Sequence, residues 1–143
     1  MKRMIFCVCA LSAFAVWMLG CGSGSSASLT GTWIITGNSS ESKGTLTGNA
    51  VFKESGRVVT GTVTCVNNSN GFCLETTPYD VSGTVSGANV ALTVANTCNG
   101  GVDNVSLTGE ITSSGAWMSG SYSQPAVSGC TTGDARSWTA TRM

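Results

Sequence analysis

The chain has 143 residues, with seven basic and seven acidic side chains, seven cysteines and no histidine. That length suits one domain with a single core, and the near-zero net charge excludes the broad basic face that nucleic acid requires. The lack of histidine removes Ser-His-Asp and Cys-His nucleophiles, histidine zinc sites and the commonest general base at neutral pH.

In chain order, Lys2 and Arg3 precede a run from Met4 to Leu19 broken only by Ser12, ending in the small pair Gly20-Cys21. Charge, apolar core and small residues, in that order, make an export signal. The run falls short of the ~20 residues that span a bilayer. Met18-Leu19-Gly20-Cys21 resembles the lipobox of bacterial lipoproteins. The resemblance implies cleavage of residues 1–20, a diacylglycerol thioether on Cys21 and a durable membrane anchor. Ordinary cleavage after Ser25-Ser26-Ala27 is the alternative. Residues 21–28 then form the anchor and a flexible Gly/Ser tether, whose seven residues after the cysteine reach ~15 Å. Gly22 stands where the family's inner-membrane retention signal has Asp, so the expected location is the bacterial envelope, outer membrane favoured.

Residues 29–143 form the expected domain. Apolar and polar residues alternate with period two in LTGTWIIT (29–36), GTLTGNAVFKE (44–54), RVVTGTVTCV (57–66), DVSGTVS (80–86), NVALTVA (89–95), NVSLTGEIT (104–112), AWMSGSYS (116–123) and RSWTATR (136–142). Such alternation with β-branched residues predicts strands with one buried face. Turn signals at Gly37-Asn38, Glu54-Ser55-Gly56, Asn70-Gly71, Ser86-Gly87-Ala88-Asn89, Ser113-Ser114-Gly115 and Thr132-Gly133-Asp134 separate them. The expected fold class is all-β: an antiparallel up-and-down meander of about eight strands, which can close into a barrel without free edges.

A phrase of apolar, hydroxyl, Gly, polar, apolar recurs in LTGTW (29), VTGTV (59), VSGTV (81), LTGEI (107) and MSGSY (118). Glycine inside a strand marks a bend or close backbone approach, which coiling a small sheet requires. Leu29-Thr30-Gly31-Thr32-Trp33 and Trp138-Thr139-Ala140-Thr141-Arg142 resemble the first and last strands of lipocalin-like barrels; avidin-like barrels begin similarly. The resemblance implies that Trp33 plugs one barrel end and that Arg142 stacks on its ring, two structural roles. Trp117 and Tyr122 differ by an odd count, so a regular strand points them to opposite faces.

With Cys7 and Cys9 in the signal and Cys21 acylated, Cys65, Cys73, Cys98 and Cys130 remain. An even number in an exported domain predicts disulfides, with three connectivities open. A hairpin turning through Asn67 to Gly71 would set Cys65 opposite Cys73, within disulfide reach, leaving Cys98 for Cys130. No CxxC spacing supports a thiolate metal site, and neither metal nor cofactor is expected.

Ser40-Glu41-Ser42-Lys43 matches a bare S-x-x-K but sits in a polar loop, where that chemistry needs one helical turn. Glu41, Glu54, Glu75, Asp80, Asp103, Glu110 and Asp134 fall mostly at turns or strand ends, the usual places of solvated charge. Asn99 to Asn104 (NGGVDN) carries calcium-type oxygens without the EF-hand order and reads as a turn. The expectation is a non-enzymatic binding module, anchored to a membrane and holding a small apolar or amphipathic ligand. The alternative is a filled barrel acting as a structural, interaction or inhibitor-type surface protein.

Overall fold

A computed structural model describes residues 27–39, 44–67, 78–98, 101–129 and 133–143. The strands are β1 (Gly31–Ser39), β2 (Gly44–Ser55), β3 (Val58–Asn67), β4 (Tyr79–Ser86), β5 (Asn89–Val94), β6 (Thr97–Cys98), β7 (Gly101–Val102), β8 (Val105–Ile111), β9 (Trp117–Gln124) and β10 (Asp134–Arg142). Eight of them close a barrel in the order β1-β10-β9-β8-β5-β4-β3-β2, and β6 and β7 form a separate two-stranded ladder. Every pairing in the barrel is antiparallel; all join consecutive strands except β5 with β8, which the β6–β7 ladder separates, and β1 with β10, which seal the seam from Trp33↔Arg142 to Gly37↔Trp138. The all-β meander read from period-two alternation is therefore the fold.

Alternation decides what lies inside. On β4 and β8 the burial runs buried, exposed, intermediate, exposed, buried through Val81–Val85 and Leu107–Ile111. Trp33, Phe52, Val59, Met118 and Trp138 are the inward bulk, each at most 2% exposed. Trp117 faces out at 42% exposure, while Tyr122 packs against the core.

Glycines at inward positions set the coil. A Cβ on Gly109 would stand 2.2 Å from the Ser119 carbonyl oxygen, and one on Gly120 only 1.8 Å from that of Thr108. These two residues face each other across β8 and β9, and only bare backbone permits that approach. Gly61 and Gly83 are equally crowded against β2 and β5. The Trp138 indole N–H uses the space, donating to the Thr108 and Ser121 carbonyls, each at 3.1 Å.

One expected turn is not a turn. Gly37 and Asn38 lie within β1, Gly37 paired with both Trp138 and Leu46. A side chain on Gly37 would meet the Tyr122 ring at 3.5 Å. Gly37 continues a strand beside an aromatic neighbour and makes no change of direction.

The two ends of the barrel differ. One carries tight connections: Gly56-Arg57 between β2 and β3, and Gly87-Ala88 between β4 and β5, where Gly56 has φ 63° and Gly87 φ 61°, as primed hairpin turns demand. Backbone bonds continue around this rim, from Val85 N to Arg57 O (2.9 Å), Ile111 N to Ala88 O (2.8 Å), Arg142 N to Ala116 O (2.9 Å) and Met143 N to Thr32 O (3.0 Å). The other end carries the connections β1–β2, β3–β4, β5–β8 and β9–β10. It is called the mouth below.

Candidate functional site

The tight-turn end is sealed by side chains. Arg142 holds its guanidinium 4.7 Å from the Trp33 ring centroid. Its Nε donates to Gly115 O at 2.7 Å, its Nη1 to Thr30 O at 3.0 Å, and its Nη2 to Ser28 O. Trp33 is fully buried and donates its indole N–H to Leu29 O at 2.9 Å. From β2, Glu54 Oε2 accepts from Leu29 N at 2.6 Å and Ser28 Oγ at 3.2 Å. The segment Ala27–Thr30 is thus clamped between the Arg142 cation of β10 and the Glu54 anion of β2.

Toward the mouth the interior changes character step by step along each strand. On β5 the inward positions run Val90, Leu92 and Val94, with Asn96 just past its end; on β8 they run Ile111, Gly109, Leu107 and Val105, with Asp103 just before its start; on β9 they run Met118, Gly120, Tyr122 and then Gln124. Val90 and Leu92 are buried, but Ile35, Val63, Val94, Val105 and Tyr122 are only partly buried against the core. Above this half-buried apolar collar lies a polar rim.

Two carboxylates organise the rim. Asp103, at 1% exposure, takes the Gln124 amide at 2.8 Å and the Asn96 amide at 3.3 Å on the same oxygen, Oδ2. Its backbone N–H donates to Asn96 O at 2.8 Å, closing the base of the β6–β7 ladder. Asp134 accepts from the Tyr122 hydroxyl at 2.8 Å and pairs with Arg136 at 3.4 Å, its side chain only 6% exposed. The same Tyr122 hydroxyl reaches Asn38 O at 2.6 Å. The reading of most carboxylates as solvated charge fails for Asp103 and Asp134. It holds for Asp80 and Glu110, which point outward and are exposed.

A second concavity lies outside the barrel, where β8 and β9 curve inward at their glycines. It is a shallow groove of ≈600 Å³ lined by Thr84, Ala91, Thr108, Glu110 and Ser121 among others. Its walls are hydroxyls and short side chains, and no buried polar atom is left unpaired in it.

Of the residues singled out in the sequence, Trp33 and Arg142 meet at the tight-turn end. Cys65 lies on β3 at an inward-alternating position and is disulfide-bonded. Cys98 lies in β6 with an undescribed side chain, and Cys21, Cys73 and Cys130 lie outside the described residues, as do Ser40 to Lys43, Glu41 and Glu75. Within NGGVDN, Gly101 and Val102 form β7 where a turn was expected. No group of three His, Cys, Asp or Glu side chains suited to a metal is found among the described residues. Asn96 and Gln124 were not singled out; only their inward register beyond Val94 and Tyr122 marks them.

The fold defines an eight-stranded up-and-down barrel, sealed at one end and polar-rimmed at the other. No known family model matches the chain, and no curated protein matches it.

Proposed function

We propose that the chain is a bacterial envelope lipoprotein, cut before Cys21 and lipidated there, whose barrel holds a small amphipathic ligand in its mouth. The observation that carries the binding role is the burial gradient. The core from Trp33 to Trp138 is buried, whereas toward the mouth Ile35, Val63, Val94, Val105 and Tyr122 are only half-buried. An apolar collar under a polar rim suits a ligand with one apolar and one polar end, because each part then finds its own environment. The Gly/Ser composition of residues 22–28 supports the anchoring role as a tether, and the segment Ala27–Thr30 that follows lies on the sealed end. On this reading the mouth faces away from the membrane that holds Cys21. No step of the role is catalytic.

The filled lower barrel favours a second reading, in which the mouth and its loops contact another envelope component and no small molecule is held. Native mass spectrometry of the protein extracted gently from its own membrane separates the two. A co-purifying small molecule that leaves on denaturation, on a chain carrying a diacylglyceryl mass at Cys21, is the expected result. An empty lipidated barrel would overturn the ligand reading in favour of the second, and an unlipidated chain starting at Ser28 would overturn the anchor.

A further inference from the structure

The least satisfied atom in the described molecule is Asp103 Oδ1, a carboxylate oxygen without a hydrogen-bond partner on a residue 1% exposed. Buried polar atoms are paired in the great majority of structures, and an unpaired anion is among the most costly exceptions. Its surroundings are arranged to leave that oxygen unserved. The Gln124 and Asn96 amides both donate to Oδ2, and Asn104 Oδ1 is turned to Asn96 N at 3.2 Å. The Arg136 guanidinium of the same rim is engaged with Asp134 at 3.4 Å. The rim thus has one neutralised carboxylate and one that lacks a cation. Directly beneath Asp103 on β8 and β5 lies the half-buried pair Val105↔Val94.

We propose that the ligand of the mouth is an amphipathic cation, an alkylammonium whose N–H donates to Asp103 Oδ1 while its apolar part lies against Val94, Val105 and Tyr122. This rests on the mouth reading above and names its ligand class. A single free oxygen matches one N–H of an ammonium group. Calcium gathers six to eight oxygens, whereas only one carboxylate oxygen is available here and the described residues bring no three acidic side chains together. The charge-assisted bond would also return to the buried carboxylate the compensation it lacks.

The test uses the full chain in a nonionic detergent and three water-soluble probes of equal length: n-hexylammonium, 1-hexanol and hexanoate. Binding is read by isothermal titration calorimetry and by the emission of the tryptophans. Hexylammonium is expected to bind at least tenfold more tightly than hexanol, with hexanoate weakest. In Asp103→Asn, which keeps the shape and removes the charge, the first two should converge to within threefold. Equal binding of hexylammonium and hexanol to the wild type overturns the cation and leaves the mouth reading standing. Binding of none of the three overturns the mouth reading itself. A calcium-dependent rise in melting temperature that is abolished in Asp103→Asn, with no preference for hexylammonium, overturns the proposal in favour of a metal site. Should Asp103→Asn fail to fold, the ranking of the three probes on the wild type still decides.

Discussion

Replacing Arg142 by Ala tests the sealed end most directly. The guanidinium makes three bonds to carbonyls, to Gly115 O at 2.7 Å, Thr30 O at 3.0 Å and Ser28 O, and lies 4.7 Å from the Trp33 centroid. Gly115 is buried, so its carbonyl would lose its donor without gaining water, at about 1–3 kcal/mol. Ser28 and Thr30 are exposed and would be rehydrated, so their loss is smaller. The ring contact adds roughly 0.5–2 kcal/mol. Together these give a destabilisation of about 3 kcal/mol, or ~12 °C in melting temperature for a domain of this size. Arg142→Lys keeps a positive charge near the ring but cannot serve three carbonyls from one ammonium, so it should recover less than half of the loss. Urea unfolding followed by far-ultraviolet circular dichroism measures both variants without relying on tryptophan emission, which loss of the cation would itself alter. A loss below about 1 kcal/mol in Arg142→Ala, or a Lys variant as stable as wild type, would refute the assignment of Arg142 as the clamp of this end.

Gly120→Ala should cost about 3 kcal/mol or more, beyond the ordinary loss from overpacking, because its Cβ would overlap the Thr108 carbonyl oxygen on a backbone that cannot yield; melting temperature or soluble yield reads this. Glu54→Ala should cost roughly 1–3 kcal/mol by freeing Leu29 N, and amide hydrogen exchange at Leu29 should accelerate well before global unfolding is approached. Peptide mapping without reductant is expected to recover Cys65 joined to Cys73 and Cys98 joined to Cys130, with reduction costing about 2–4 kcal/mol of stability; a Cys65 to Cys130 peptide would refute the hairpin argument. Trp138→Phe should cost roughly 1–2 kcal/mol, since the indole N–H shared by Thr108 O and Ser121 O goes unreplaced.

The barrel was legible because its signal is local. Val81, Val85, Leu107 and Ile111 alternate with hydroxyl residues along single strands, and period two needs no knowledge of partners. Glycine was legible as a class but not by position. Gly37 and Gly56 look alike in sequence, yet one lies beside an aromatic from β9 and the other turns a hairpin, and only the three-dimensional neighbour distinguishes them. The rim was the least legible part. Asp103 reads as a turn residue because its burial depends on Gln124, 21 residues on, and on the β6–β7 ladder folding back at Asn96. Glu54 was hidden in the same way, its partner Leu29 lying 25 residues earlier.

The seam between β1 and β10 imposes an order in time. Strands β2 to β9 of the barrel each pair with the barrel strands made just before and just after them, but β1 must wait on one side for residues 134–142. Until those have been made, the earlier strands can form at most an open sheet with two unsatisfied edges, a form prone to pairing with other chains. A chain arrested before β10 would therefore not be a slightly weakened barrel. It would be a sticky sheet in need of a holding partner, so making this protein is a matter of protecting β1 until its last neighbour arrives.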